Sequence, residues 1–206
     1  MVTTSKRRRK RSGPTGRRAP KAWPRRTIFT IGHSTRSVAE LIDLLRQAKV
    51  DLVVDVRSIP RSRTNPQFNT DALPAPLAAA GIGYRHVAAL GGRRHRRKGE
   101  PPSRNTFWQN AAFRSYADYT ATAEFRGGLD ELESLSRRHR CAIMCAEAVW
   151  WRCHRRIVAD YLLSERIPVG HIMGPDKVEP AKRTPAARKR RGVLVYPAGR
   201  AAVTPP

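Results

Sequence analysis

The sequence predicts an α/β fold: a single domain built on a mainly parallel central sheet of about five or six strands flanked by helices. Three observations carry this expectation. Short β-prone apolar runs alternate with longer segments of helical periodicity along most of the chain. Two of the runs, "DLVVDV" and "CAIMC", are continuously apolar, as in strands buried on both faces. The connections are short, and 206 residues suit one ordinary domain with extensions.

The first run, "TIFTIG", is followed by "SVAELIDLLRQA", where Val38, Leu41, Ile42 and Leu45 fall on one helical stripe. Ser37 and Glu40 have the spacing of a capping box at its start. "DLVVDVRSIP" is the second strand. "DALPAPLAAAG" is a weaker helix, interrupted by Pro74 and Pro76 and closed by Gly81. "IGYRHVAAL" is a third strand, and "RRHRRKGEPPSRN" an exposed basic loop. Two helices follow, over "TFWQNAAFRSYADYTATAEF" and "GLDELESLSRRH". "CAIMCAE" is a fourth strand, then a helix runs to about Ser164. "PVGHIMG" is a fifth strand and "GVLVYP" a candidate sixth.

The charge is extreme. Lys and Arg number 41 against 16 Asp and Glu, a net of +25. Residues 1–26 supply +11 with no acidic residue and residues 176–206 supply +6, leaving +8 for 27–175. Residues 1–26 are punctuated by Pro and Gly and poor in core-forming side chains, so they read as a disordered basic arm, with a short disordered tail over 198–206. Residues 27–197 are the α/β domain. A field of this sign attracts polyanions, and nucleic acid is the expected partner, held through the arm and the basic loops. No apolar run follows the arm and none has the length of a membrane span, which argues against secretion and membrane insertion. Three cysteines are too few for a disulfide framework and point to the cytoplasm.

Ligands of open α/β sheets bind beyond the carboxyl ends of the strands. The residues that close the runs are His33 and Ser34, then Asp55, Arg57 and Ser58, then Arg85 and His86, then Cys145 and Glu147. The richest stretch is "CAEAVWWRCHR", Cys145 to Arg155. If the helix after it begins near Trp150 to Arg152, Cys153 and His154 enter its first turn on the apolar stripe shared with Ile157, Tyr161, Val158 and Leu162. A thiol there, near arginines, would have a lowered pKa. The plainer reading is a buried cysteine packing as a small hydrophobe, which suits Cys141 best. Asp55 and Arg57, two apart on a strand, could equally be an ion pair that fixes the strand end. Arg57, Arg61 and Arg63, interleaved with Ser58 and Ser62, suit phosphate contacts. Trp150 and Trp151 could stack on bases or cover a core edge.

Three chemistries compete. Cys145, Cys153 and His154, with or without His33, could hold zinc, but their spacing matches no C-x-x-C knuckle, so no metal or cofactor is assigned. A phosphatase-like or rhodanese-like loop would need a glycine-rich cradle after Cys145, and the six residues after it contain no Gly. Acid–base work by Glu147 or Asp55 with His33 or His154, arginines holding an anion, is the favoured option.

The motifs "TIGHSTRS", "VVDVRSIPRSRTNPQFN", "YRHVAALGGR", "FRSYADY", "MCAEAVWWRCHR" and "LVYP" together resemble the domain of unknown function 488 family, a bacterial family with no agreed reaction. The resemblance runs from about Thr27 to Pro197 and implies an α/β domain. The positions matching its signatures are His33, Ser34, Asp55, Arg57, Cys145, Glu147, Cys153, His154 and Arg155. The arm before Trp23, the loop Arg93 to Lys98 and "EPAKRTPAARKRR" depart from it as additions of positive charge.

The expectation is therefore an enzyme acting on a nucleic acid or nucleotide-like anion by acid–base or thiol-assisted chemistry. Its catalytic candidates are Glu147, His154, Cys153, Cys145, His33 and Asp55. Ser34, Arg57, Ser58, Arg61 and Arg155 would bind substrate. The alternatives are a non-enzymatic nucleic-acid-binding or adaptor module, and a thiol or sulfur-transfer enzyme.

Overall fold

A computed structural model of the chain describes residues 23–96 and 99–199. Most of the basic arm and all but two residues of the tail lie outside these. Strand β1 (Ile28–Gly32) leads to helix α1 (Val38–Gln47), and β2 (Leu52–Asp55) leads through a 3-10 turn at Pro66–Phe68 to α2 (Pro74–Ala79). After β3 (Gly83–His86) come α3 (Ala111–Tyr119) and α4 (Ala123–Arg138). Then β4 (Cys141–Cys145) is joined to α5 (Arg155–Ser164) by a 3-10 turn at Trp150–Arg152. The chain closes with β5 (Val169–Gly174), β6 (Lys177–Pro180), β7 (Arg188–Arg190) and β8 (Val193–Val195).

The main sheet has six strands in the order β3-β2-β4-β1-β5-β6. The first five in that order are parallel, and β6 runs antiparallel to β5. This is the mainly parallel α/β domain that the alternation of runs predicts. Alternate residues of each strand feed opposite cores. Phe29, Ile31, Val53 and Met144 pack with Leu41, Leu44 and Leu45 of α1 and Leu77 of α2. Ile28, Val54, Ile143 and Cys145 pack on the other face with Tyr116, Phe125, Leu129 and Leu132 of α3 and α4, and Ile157 and Tyr161 of α5. Burying both faces is what makes "LVV" of β2 and "CAIMC" of β4 continuously apolar.

The α1 start is the capping box the sequence predicts: Glu40 N–H donates to Ser37 Oγ at 3.1 Å and Ser37 N–H to Glu40 Oε2 at 2.6 Å. Gly81 follows α2 with φ +76, a left-handed position that glycine takes at no steric cost.

Three expectations are corrected. "GVLVYP" is not the sixth strand of the main sheet; β8 pairs only with β7 in a separate hairpin, and the sixth strand is β6, "KVEP". The folded part starts before Thr27: Trp23 packs edge-on against Phe29 at 5.7 Å, and Thr27 N–H donates to Pro24 O at 3.0 Å. Cys153 does not enter the first turn of a helix. It is extended (φ −127, ψ 146) between the 3-10 turn and α5, whose N-cap is His154. Among the described residues no helix is long and apolar enough to cross a membrane.

Candidate functional site

Neighbouring strands β1 and β4 send their following helices to opposite faces, α1 to one core and α5 to the other. Such a switch point opens a crevice outside the carboxyl ends of the two strands. A cleft of about 510 Å³ lies there, and its lining includes His33 and Ser34 after β1, Arg57 and Ser58 after β2, and Cys145 and Glu147 at β4. Cys153, His154, Arg61 and Arg93 also line it.

The floor is a three-residue cluster. Cys153 Sγ lies 3.6 Å and Cys145 Sγ 4.0 Å from His154 Nδ1. The other ring nitrogen, Nε2, is 3.0 Å from the Val56 carbonyl. A carbonyl only accepts, so Nε2 carries a hydrogen and Nδ1 faces the sulfurs. The ring is held edge-on to Tyr116 at 5.0 Å. Gly92 leaves it room: a Cβ there would stand 2.3 Å from Nδ1.

Arg155 is buried, and its Nε–H donates to Cys153 Sγ at 3.2 Å while NH2 donates to the Glu147 carbonyl at 2.5 Å. Among the described residues it has no carboxylate partner. A buried guanidinium favours an anion beside it, and the Cys153 sulfur is the acceptor its Nε–H meets. Burial pushes the Cys153 thiol up, but hydrogen bonding from Cys145 and the charges of His154 and Arg155 outweigh it and hold it well below the ordinary thiol range. Cys145 moves the opposite way, well above that range, through its hydrogen bond to Cys153 and its burial. Arg155 thus donates to the sulfur and is not among the residues that line the cleft.

A second layer fixes the crevice wall. Asp55, fully buried, accepts from Arg57 N at 3.0 Å, from Arg57 Nε at 2.9 and 3.1 Å, and from Tyr84 Oη at 2.7 Å. The Arg57 NH2 group also donates to the Phe68 carbonyl at 2.6 Å. The ion-pair reading of Asp55 and Arg57 is therefore the one the structure supports. Asp55 is not among the residues that line the cleft. Arg57 NH1 reaches His33 Nε2 at 3.3 Å, and His33 Nδ1 faces the Ser34 carbonyl at 2.9 Å. Arginine only donates, so His33 carries its proton on Nδ1. Burial, the largest cause, lowers its pKa to about 4 and keeps the ring neutral. Stacked on Phe68 at 4.1 Å, it is a fixed wall rather than a proton donor.

The rim is basic. Exposed Arg61, Arg93 and Arg152 join Arg57 around the cleft, against a single lining carboxylate, the exposed Glu147. Ser58 Oγ accepts from Arg93 N–H at 2.9 Å, tying the two rim loops. Arg85 and His86 point elsewhere: Arg85 pairs with Glu131 and His86 Nε2 meets the Arg57 carbonyl. Trp150 stacks on buried His171 at 4.4 Å and covers a core edge, whereas Trp151 is 45% exposed. A larger groove of about 1350 Å³ adjoins, sharing Arg93 with the cleft and lined further by Arg94, Arg96, Arg104, Arg190 and Arg191.

The family described as "Domain of unknown function DUF488" matches residues 37–162, more than half of the chain. The chain belongs to the DUF488 family. No curated protein and no solved structure matches it. In this DUF488 protein the matched span holds Asp55, Arg57, Cys145, Glu147, Cys153, His154 and Arg155, and the sheet brings His33 and Ser34 to them from just outside it.

Sequence reasoning missed Gly92, Tyr116, Tyr84 and Phe68 as supports of the site, and Arg93 and Arg152 as rim cations. Gly91-Gly92 after the third strand was the one visible signal. Tyr84 and Phe68 look like ordinary core residues until β2 and β3 are paired.

Proposed function

We propose that this DUF488 protein is an enzyme acting on a nucleotide-like anion, bound in the switch-point cleft and transformed at the Cys145–Cys153–His154 cluster. One observation carries the reading: reactive side chains from two chain segments meet on the floor of a cleft whose rim holds four arginines and one carboxylate. Arg61, Arg93 and Arg152, with Ser34 and Ser58, contact the phosphate. Glu147 is the group available to move protons. Arg57 and Asp55 hold the wall, and Arg155 stabilises the Cys153 sulfur.

The groove that continues from Arg93, lined by Arg104, Arg190 and Arg191 beside Arg94 and Arg96, which pair with Glu124, Glu100 and Asp118, supports a substrate carried on a nucleic acid, because cations along a groove suit a chain of phosphates. It also supports the second reading, a binding or adaptor module without turnover. Nucleoside phosphates and short oligonucleotides, tested by thermal shift and anisotropy on the full chain, separate the two. At least one should raise the melting temperature, with affinity that falls steeply with salt. Arg61→Glu with Arg93→Glu, both exposed, should lower that affinity by roughly 100-fold without unfolding the protein. Binding unaffected by the charge reversals contradicts the cleft as the site. A ligand that binds but is never converted by the natural protein leaves only the adaptor reading, and a Cys153→Ser variant that converts it at the natural rate removes the cluster from the chemistry.

A further inference from the structure

We propose that Cys145, Cys153 and His154 form a mononuclear site for a borderline-soft divalent cation, best matched by zinc, with its fourth position open to the cleft. The inference deepens the reading above and rests on it for the cleft being a reactive site.

The first argument is metric. The three ligand atoms all lie within 4.8 Å of one another. A tetrahedral zinc bonded to sulfur at about 2.3 Å and to nitrogen at about 2.0–2.1 Å has S–N edges of about 3.6 Å. The S–N edges here are 3.6 and 4.0 Å and the third edge is no longer than 4.8 Å, so all three atoms lie within reach of one ion.

The second argument is the orientation of His154. Metal-binding imidazoles typically donate the remote N–H to a carbonyl or carboxylate, which fixes the tautomer and aims the lone pair at the metal. The Nε2 bond to Val56 O does this and leaves Nδ1 facing both sulfurs.

The third argument is charge. Arg155 sits beside Cys153 Sγ, buried and with no carboxylate partner among the described residues, as a ligand thiolate's hydrogen-bond donor would. Two thiolates with a divalent ion make a neutral core that the low-dielectric floor can hold, and the guanidinium then donates to a sulfur of the complex.

Three protein ligands with one open position is the arrangement of catalytic rather than structural zinc sites. An ion held here would polarise a water or a substrate oxygen in the cleft, and Glu147 is the carboxylate that lines it. The absence of a C-x-x-C knuckle is no obstacle. Such spacings describe closed structural sites built on one loop, whereas here the end of β4 and the turn before α5 supply the ligands.

The test uses the full, tag-free chain purified without chelator. Inductively coupled plasma mass spectrometry should find one zinc per chain. The stripped protein should take up cobalt(II) with thiolate-to-cobalt charge-transfer bands and the strong visible bands of a four-coordinate site. Cys145→Ser, Cys153→Ser and His154→Gln should each weaken cobalt binding by more than about tenfold. Cys141→Ala, at the far end of β4, should not. Circular dichroism of each stripped variant separates lost metal from lost fold. A folded natural chain that takes up neither ion overturns the site, as does uptake that survives Cys153→Ser and His154→Gln. Nucleotide binding measured on the same metal-free sample shows whether the enzyme reading fails with it or stands alone.

Discussion

Gly32→Ala is expected to destabilise the protein by roughly 3–5 kcal/mol, since overpacking against atoms that cannot turn aside exceeds the usual 1–3 kcal/mol and hydrogen bonds are lost with it. A Cβ at Gly32 would stand 1.9 Å from the Glu147 carbonyl oxygen and 2.8 Å from that of Ala148. Both are backbone atoms, so no rotamer relieves the clash. The crossing is close because the two strand ends stay bonded past the sheet: His33 N–H donates to Cys145 O and Ser34 N–H to Ala146 O, each at 3.0 Å. Moving the 146–148 segment breaks those bonds and displaces Cys145. Against a typical domain stability of about 5–15 kcal/mol, much of the folded population is at risk. Denaturant titration measures the effect. Gly127→Ala is the control: its Cβ meets nothing within 4 Å, and in α4 it should be neutral or stabilising by up to about 1 kcal/mol. A Gly32→Ala protein as stable as the natural one would contradict the close approach of the two loops.

Asp55→Asn is expected to cost about as much, roughly 3–5 kcal/mol, because it leaves a buried guanidinium without its counter-charge. Asp55, itself fully buried, accepts both the backbone and side-chain bonds of Arg57 and the Tyr84 hydroxyl. Removing both charges should be gentler than removing one. Asp55→Leu with Arg57→Leu should therefore be more stable than Asp55→Asn alone, though it loses the Arg57 contacts to Phe68 and His33. A double variant no better than the single one would show that the pair contributes through its packing rather than its charge. The single change also removes the anchor of His33, so it should weaken ligand binding more than an equally destabilising change in α4.

These two sites show how far the sequence could be read. The strand ends, the capping box of α1 and the gathering of His33, Arg57, Cys145, Cys153 and His154 follow from periodicity and one topological rule. What escaped it depends on three-dimensional contact. Asp55 looks like a reactive carboxylate until Tyr84 of the next strand is laid beside it. Arg155 looks like a phosphate ligand until the turn at Trp150–Arg152 places its Nε on Cys153 Sγ. The strand β6 hides because an edge strand can carry Lys, Glu and Pro, and Pro180 ends one that needs no further pairing. The apolar "VLV" misleads in the opposite sense: three residues suffice for a hairpin that covers α5 without joining the main sheet.

Two sulfurs eight positions apart in sequence, Cys145 and Cys153, share one spot at the base of the cleft. A trivalent arylarsenical, which bridges paired thiols and holds single ones weakly, tests this directly on the chelator-treated chain. The expected result is one arsenical per molecule, mapped by mass spectrometry to Cys145 and Cys153 together and lost in Cys153→Ser. Separate single-thiol adducts, or a bridge that includes Cys141, would contradict it.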